Sequence, residues 1–202
     1  TSFAAEAFMD ELAGQAGRDP LDFRMDLVAE NPRGRHLLEK VAEMSNWSNQ
    51  DGRALGLSFA GYSSSMAAGV AEIEVDQSTG DIAVKHFWAA VDAGLIVSPD
   101  NAHNQIEGGI IFGISMALRE KIDIENGEVV QNNYWDYEIA RANQIPPIEI
   151  YMAEVDAPPV GVGEVGTPMV SAAIANAFHR ATGRRLRHMP FTPDRVLETI
   201  NA

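Results

Sequence analysis

Cysteine is absent from this 202-residue sequence. Its absence excludes disulfide bonds, thiolate zinc sites, cysteine-ligated iron–sulfur clusters and a cysteine nucleophile within the chain. The histidines do not replace these ligands, because no two of them have the short spacing of a zinc-binding pair. They are His36, His86, His103, His179 and His188. The sequence therefore predicts no metal-ligating side chain.

Basic side chains are also scarce, since 15 Lys and Arg stand against 29 Asp and Glu and give a formal net charge of −14. Nucleic acids and anionic membranes attract basic surfaces, so we expect neither as the main partner. No apolar run reaches the ~20 residues that cross a bilayer, so no membrane insertion is expected. The chain begins at Thr1 without a signal-peptide pattern, and nothing in it indicates the compartment. We expect it to be one piece of a longer polypeptide.

The amino-terminal part of the sequence has the pattern of helices. Apolar side chains recur at helical spacing over residues 3–12. Asp19 and Pro20 have the residue types of a helix N-cap and first helical position, and a third helix is predicted over residues 34–44. We therefore predict an N-terminal helical segment at residues 1–50.

The remaining residues, 51–202, mix strands with helices. Residues 69–76 alternate apolar and polar side chains, and a second strand follows at 82–91 after a turn-like stretch, which predicts a β-hairpin. The other predicted elements are strands at 57–62 and 148–155, a short hairpin at 122–130, and helices at 101–118, 168–183 and from Pro193. This order predicts an α+β fold with helices packed on a mixed or antiparallel sheet.

Three glycines lie inside the predicted helix at 101–118, namely Gly108, Gly109 and Gly113. Each costs about 1 kcal/mol of helix stability relative to alanine. Their presence indicates that another backbone or a ligand approaches this helix closely.

A Gly-x-Gly-x-x-Gly turn at residues 161–166 has the spacing of a dinucleotide-binding loop. Three features count against that function. The proline pair at 158–159 breaks the preceding strand, and Glu164 inside the turn would repel a pyrophosphate. An acidic ribose ligand is expected ~20 residues further on, where the sequence has Arg184 and Arg185. These arginines suit a 2′-phosphate, so an NADP-binding protein remains an alternative, although we expect them to border local acidic residues.

A second interpretation makes Glu164 the functional residue of the turn. Flanking glycines let the backbone turn sharply and approach a bulky ligand. The carboxylate lies just before the helix expected to begin at Pro168, where an anion is stabilised, and partial burial would suit it to act as a base. Equally, Glu164 could simply cap that helix, and the spacing alone does not decide between the two.

Together these segments resemble the molybdenum hydroxylases, the xanthine dehydrogenase and aldehyde oxidase family. The turn at 161–166 resembles that family's active-site glutamate motif, residues 70–80 resemble a hairpin of its molybdenum subunit, and residues 104–113 resemble its glutamine-and-glycine helix start. The opening residues, 3–21, resemble the segment between the subunit's two halves. The resemblance covers essentially the whole chain and is strongest to the branch of isoquinoline 1-oxidoreductase and related aldehyde dehydrogenases.

The resemblance implies specific roles for residues of this chain. In that family a pterin dithiolene holds the molybdenum and no side chain ligates it. Glu164 would be the base, and Gln105 would hydrogen-bond the pterin. Gly108, Gly109 and Gly163 would allow the backbone to approach the cofactor. The implied activity is oxidation of an aldehyde or N-heterocycle with water-derived oxygen.

The resemblance also implies partners, because this chain is about a quarter of the usual molybdenum subunit. We expect it to act with the rest of that subunit, with a subunit that carries iron–sulfur clusters, and with molybdopterin cytosine dinucleotide as the cofactor. The chain alone is then expected to be inactive. An alternative is a non-catalytic assembly or interaction module, in which the helical stripe at 3–12 binds a partner.

Other candidate residues have weaker predicted roles. The serines at 63–65 lack the surroundings of a nucleophile and are expected in a loop. A plain polar role is expected for His103, although it is close to Gln105 in the sequence. Tyr134 and Trp135 are expected in the core or at an interface.

Overall fold

The computed structural model describes residues 1–49 and 51–202. Three helices come first: α1 (Ser2–Gln15), α2 (Pro20–Leu27) and α3 (Pro32–Ser45). The side chain of Asp19 accepts hydrogen bonds from the backbone N–H groups of Leu21 and Asp22, and proline follows it at the first helical position, as predicted. Asn31 caps α3 in the same way through Gly34 N. The domain boundary after residue 50 stays a prediction, and Gln50 lies outside the described residues.

A four-stranded sheet forms the centre of the molecule. Its strands are β1 (Ala54–Tyr62), β2 (Ser65–Val75), β3 (Ile82–Asp92) and β6 (Ile148–Met152). The first three form an antiparallel meander in the order β1-β2-β3, and β6 adds to β3 in parallel. The predicted hairpin at 69–91 is the pair β2–β3. The mixed sheet and its helices confirm the predicted α+β class.

The other elements connect or cover this sheet. They are α4 (Pro99–Leu118), β4 (Ile124–Glu125), β5 (Glu128–Val129), α5 (Val170–Thr182) and α6 (Pro193–Asn201). The strands β4 and β5 form a small separate hairpin, close to the one predicted at 122–130.

Helices cover both faces of the sheet. On one face, Leu37, Leu38 and Val41 of α3 join a buried cluster that includes Leu57 of β1 and Trp88 of β3. On the other face, α4 and α5 bury a second cluster, to which they contribute Ile106, Ile110, Ile114, Ile174 and Phe178. Because β2 is buried from both sides, its first half lacks the alternation of a one-sided strand.

Several predicted boundaries were wrong. β1 begins at Ala54 instead of residue 57, β2 at Ser65 instead of 69, and β6 ends at Met152 instead of 155. The serines expected in a loop form the tight β1–β2 turn, where Tyr62 pairs with Ser65. Tyr134 and Trp135 are 94% and 80% exposed, so neither lies in the core of this chain.

The helix α1 is fastened to the carboxyl-terminal part of the chain. Phe3 contacts Phe191 with ring centroids 5.6 Å apart. Arg185 forms an ion pair with buried Asp10 at 2.6 Å, and Arg187 pairs with Glu11 at 2.9 Å. These pairs confirm the expectation that the basic cluster borders acidic residues. Part of the stripe at 3–12 is thereby used within the molecule, whereas Phe8 is 55% exposed.

No helix in the described part of the chain is long and apolar enough to span a membrane. Within the same residues, His, Asp and Glu side chains form no group of three that could hold a metal ion.

Candidate functional site

One face of α4 forms the first wall of the candidate site. The helix begins at Pro99 and buries Ile106, Ile110 and Ile114 toward the sheet and α5. Residues three, four, seven and eleven positions after Gln105 return to the same side of a helix. That side presents Gln105, Gly108, Gly109, Phe112 and Met116 to an open cleft of about 590 Å³.

The glycine turn forms the opposite wall, lined by Gly163, Glu164, Thr167 and Pro168. Val165 and Gly166 are buried, whereas Glu164 is exposed. Two short backbone bonds lead from the turn into α5: Thr167 N donates to Glu164 O at 3.0 Å, and Val170 N donates to Thr167 O at 3.2 Å. The helix therefore begins at Val170 and not at Pro168 as predicted.

Two side chains connect the walls. Gln105 Nε2 donates a hydrogen bond to the carbonyl oxygen of Gly163 at 2.9 Å. Thr167 Oγ1 donates to the carbonyl oxygen of Gly109 at 3.0 Å. The hydroxyl of Thr167 thus reaches across to α4 instead of capping α5. Each wall supplies one donor side chain and one backbone acceptor.

Close approach of the two walls explains some of the glycines. A Cβ atom on Gly166 would lie 2.5 Å from Ile106 O, and one on Gly113 would lie 2.8 Å from Val170 Cγ2. A Cβ on Gly109 would be 3.4 Å from Gly166 Cα, an ordinary contact. By contrast, a Cβ on Gly108 or Gly163 would meet no atom within 4 Å.

The glycines of the turn do not provide left-handed backbone. The residues with positive φ include Gly80, Gly94 and Gly183, but none of Gly161, Gly163 and Gly166. The chain still bends and turns at residues 163–166, so the freedom of these glycines is not used for left-handed backbone. Gly166 is needed for close packing against α4, and Gly163 leaves room on the cleft side.

The sequence predicts partial burial of Glu164, and in this chain the residue is exposed. Among the described residues that line the cleft, it alone carries an ionisable group. Phe112, 56% exposed, supplies a flat apolar surface on the same side as Gly108. The cleft therefore combines one carboxylate, one amide and an aromatic face in an open, mostly apolar setting.

The structure brings all five predicted site residues to this one cleft: Glu164, Gln105, Gly108, Gly109 and Gly163. It does not bring His103 there. Four further residues line the cleft that the sequence did not predict as site residues: Phe112, Met116, Thr167 and Pro168. Thr167 has the pattern of a helix cap and Met116 that of a packing residue. The spacing of Met116 from Gln105 and Phe112 on one helix is the signal that could have indicated it.

Two larger clefts, of about 800 and 860 Å³, lie elsewhere. The first lies beside the ends of β2 and β3 and residues 140–147, and the second lies between residues 94–99 and 152–159. Neither contains a predicted site residue. Size alone therefore does not single out the cleft that holds the predicted residues. Carboxylates and amides together do not single it out either, since the first of the larger clefts is lined by Asp76, Asp81 and Gln144.

Comparison with known proteins identifies the family of the chain. A model of the molybdopterin cofactor-binding domain family matches residues 8–146, which include Gln105, Gly108 and Gly109 but not the turn. The beta chain of isoquinoline 1-oxidoreductase from Brevundimonas diminuta is 38% identical over 196 residues, covering 95% of this chain and 25% of that protein. A component of nicotinate dehydrogenase from Pseudomonas putida is 34% identical over 215 residues, covering 96% of this chain and 18% of that protein.

Solved structures are similar as well. Quinoline 2-oxidoreductase from Pseudomonas putida 86 superposes with a TM-score of 0.64 at 27% identity, over 68% of this chain and 19% of that chain. Aldehyde oxidoreductase from Desulfovibrio gigas gives 0.61 at 30% identity, over 68% and 16%. The chain spans a quarter or less of the length of these relatives. It belongs to the molybdopterin cofactor-binding domain family of the molybdenum hydroxylases.

Proposed function

We propose that this chain is the carboxyl-terminal part of the large subunit of a molybdenum hydroxylase that oxidises an aldehyde or an N-heterocycle with oxygen from water. Its relatives include proteins named for isoquinoline, nicotinate and aldehydes, which are substrates of these two classes. The single observation that carries the proposal is the position of Glu164, whose exposed carboxylate lines a cleft opposite Gln105.

The residues of the cleft fit a bulky planar cofactor. The open space beside Gly108 and Gly163 leaves room that a side chain would occupy. Gln105 uses one N–H on Gly163, and its amide retains a second N–H and a carbonyl oxygen for a pterin edge. When bound, a molybdenum pterin would supply the redox chemistry, namely acceptance of two electrons and delivery of a water-derived oxygen. We propose the cytosine dinucleotide form, with iron–sulfur clusters on a partner subunit receiving the electrons.

Glu164 would act as the general base. Adding a water oxygen to a carbon while two electrons leave also releases protons, so a positioned acceptor near the reacting oxygen accelerates the step. An ionised carboxylate is such an acceptor, and it can bind the proton only if substrate and cofactor are held beside it. In this chain one side of the cleft is open, so the isolated chain is proposed to be inactive.

Some of the residues that favour the alternative functions are engaged within the molecule. An interaction module was expected to offer the stripe at 3–12. Phe3 packs on Phe191 and Asp10 is buried with Arg185, whereas Phe8 is 55% exposed. An NADP-binding protein was expected to use Arg184 and Arg185. Arg185 is paired with buried Asp10, whereas Arg184 is exposed.

Replacing Glu164 with glutamine in the complete enzyme tests the proposal. The change keeps the size of the side chain and removes the proton acceptor, so turnover should fall by about 10²–10⁴-fold. Molybdenum content should remain near that of the unaltered enzyme, because the glutamate ligates no metal in the proposed mechanism. Glu30→Gln, at an exposed position between α2 and α3, is the charge-matched control and should leave turnover unchanged.

Two measurements decide the outcome: steady-state turnover with an aldehyde and an N-heterocycle, and molybdenum per protein by elemental analysis. Turnover retained by Glu164→Gln at normal molybdenum content would rule out Glu164 as the base. Absence of molybdenum from the unaltered enzyme would rule out the hydroxylase itself.

A further inference from the structure

The loop that carries Glu164 has few backbone bonds of its own in the described structure. The N–H of Val160 donates to Ala93 O, and the next backbone bonds run from Thr167 N to Glu164 O and from Val170 N to Thr167 O. Glu164 itself is exposed and makes no hydrogen bond through its carboxylate among the described residues. Its position at the cleft is therefore set by whatever holds the surrounding backbone.

Two side-chain bonds hold that backbone against α4. Gln105 anchors the turn one residue before Glu164, through Gly163 O at 2.9 Å. Thr167 anchors it three residues after Glu164, through Gly109 O at 3.0 Å. The anchors have opposite directions, one from helix to turn and one from turn to helix, and they bracket the carboxylate on both sides.

Close packing helps to hold the turn, because Val165, directly after Glu164, is 2% exposed and belongs to the core cluster. Gly166 lies directly on α4, since a Cβ there would be 2.5 Å from Ile106 O. The Gly166 contact sets the distance between the two walls. It does not fix the position of the turn along α4, because dispersion contacts are not directional. A hydrogen bond to one particular carbonyl oxygen does fix that position, because its geometry is directional.

We propose that Thr167 is a positioning residue. Its hydroxyl, together with the amide of Gln105, fixes the position of the Glu164 turn along α4. The proposal rests on Glu164 being the base of the hydroxylase. A misplacement of the reacting groups by about 1 Å can lower a rate by about a hundredfold. If the turn shifts along α4, the chemical step should therefore slow while substrate binding stays largely intact.

The test compares three variants of the complete enzyme. Thr167→Val keeps the shape of the side chain and removes the hydroxyl, and Thr167→Ser restores the hydroxyl. Thr182→Val is the matched control, because Thr182 Oγ1 donates to Phe178 O at 2.8 Å at the far end of α5. All three should retain the molybdenum content of the unaltered enzyme.

Two readouts are measured for each variant. Hydrogen–deuterium exchange of peptides spanning residues 160–170 should be about tenfold faster in Thr167→Val than in the unaltered enzyme, and unchanged in Thr167→Ser and Thr182→Val. The kcat of Thr167→Val should fall about ten- to a hundredfold with KM changed less than about threefold, and serine should restore it.

Unchanged exchange in Thr167→Val would overturn the proposal. An equal loss of kcat in Thr182→Val would also overturn it, because the loss would then reflect lower stability of the protein and not a displaced Glu164 turn. If the unaltered enzyme proves to lack hydroxylase activity, the proposed function fails by that measurement, while the exchange data still decide whether Thr167 holds the turn.

Discussion

At the scale of single residues, Gly166 determines how closely the Glu164 turn lies against α4. Its Cα side faces the backbone of the helix, and a Cβ would meet Ile106 O at 2.5 Å and Ile110 N at 3.3 Å. Backbone atoms cannot rotate away as a flexible side chain would. Because the φ of Gly166 is not in the left-handed region, the constraint is one of space and not of backbone conformation.

Gly166→Ala should therefore destabilise the protein by about 1–3 kcal/mol through overpacking. Gly161→Ala is the matched control: a Cβ there meets no atom within 4 Å, so its free energy of unfolding should stay within about 1 kcal/mol of the original value, or rise. Chemical denaturation of the two variants measures the difference. Equal stabilities would show that the turn moves away from α4 without cost.

The residues of the site are predictable to different degrees. Glu164 stands out because a carboxylate among closely spaced glycines has no obvious packing role, and the family resemblance supplies one. Thr167 is misleading because a threonine followed by proline is a common helix start. Its actual acceptor, Gly109 O, lies 58 positions earlier in the chain, and local sequence patterns carry no information about such a contact.

At the scale of secondary-structure elements, Asp92 joins the end of β3 to the start of α3. The carboxylate is 1% exposed and accepts a bond from Arg33 Nε at 2.6 Å, a second bond from Arg33, and one from Gly94 N at 3.0 Å. Burial by itself would raise the pKa of Asp92, but the hydrogen bonds from Arg33 and Gly94 hold that pKa below its usual value.

A carboxyl group whose pKa is lower in the folded state stabilises the fold above its unfolded pKa, which is about 3.9, and this stabilisation is lost as the pH falls through the folded pKa. Asp92→Asn should thus lower the free energy of unfolding by about 1–3 kcal/mol at pH 7. The difference from the unaltered protein should shrink once the pH falls below about 4.

Urea denaturation of both proteins from about pH 7 to about pH 3 checks this expectation. Asp156→Asn, at an exposed position, is the control and should show no comparable difference. A difference between Asp92→Asn and the original that is constant over this range would contradict the electrostatic explanation.

The elements are predictable where the signal is local. Asp19 and Pro20 mark the start of α2, and the β2–β3 hairpin follows from alternation and turn composition. The first half of β2 escapes prediction because helices cover both faces of the sheet, so its side chains do not alternate. The parallel pairing of β6 with β3 spans α4 and the residues after it, and periodicity does not specify which strand a distant strand joins.

At the scale of the whole molecule, the exposed apolar side chains are concentrated after α4. Between residues 122 and 139, six large apolar side chains are at least half exposed: Ile122, Ile124, Val129, Tyr134, Trp135 and Ile139. This concentration fits a chain that spans a quarter or less of its relatives, because surface that the rest of a larger subunit would cover is apolar more often than free surface. The fold class could be predicted from the sequence. Of this surface, the sequence indicated only that Tyr134 and Trp135 lie in the core or at an interface.

The whole-molecule charge distribution also bears on the remaining alternative, an NADP-binding protein. The net charge of −14 repels a dinucleotide phosphate. Of the arginines that could offset it, Arg185 is engaged with buried Asp10 and Arg187 with Glu11, whereas Arg184 is exposed. Freeing Arg185 would leave Asp10, which is 6% exposed, as an unpaired buried charge, and this costs several kcal/mol. NADP would have to supply that free energy on binding.

We therefore expect saturating NADP to leave the melting temperature unchanged, with NAD as the control that lacks the 2′-phosphate. A ligand that binds only the native state at about a hundred times its Kd stabilises it by about 2.7 kcal/mol, which for a protein of this size raises the Tm by about 5–10 °C. Differential scanning calorimetry over a series of NADP concentrations detects such a shift readily. A rise in Tm that grows with NADP concentration and is absent with NAD would mean that the arginine pairs open for the 2′-phosphate, and the turn at 161–166 would then have to be reconsidered as a dinucleotide site.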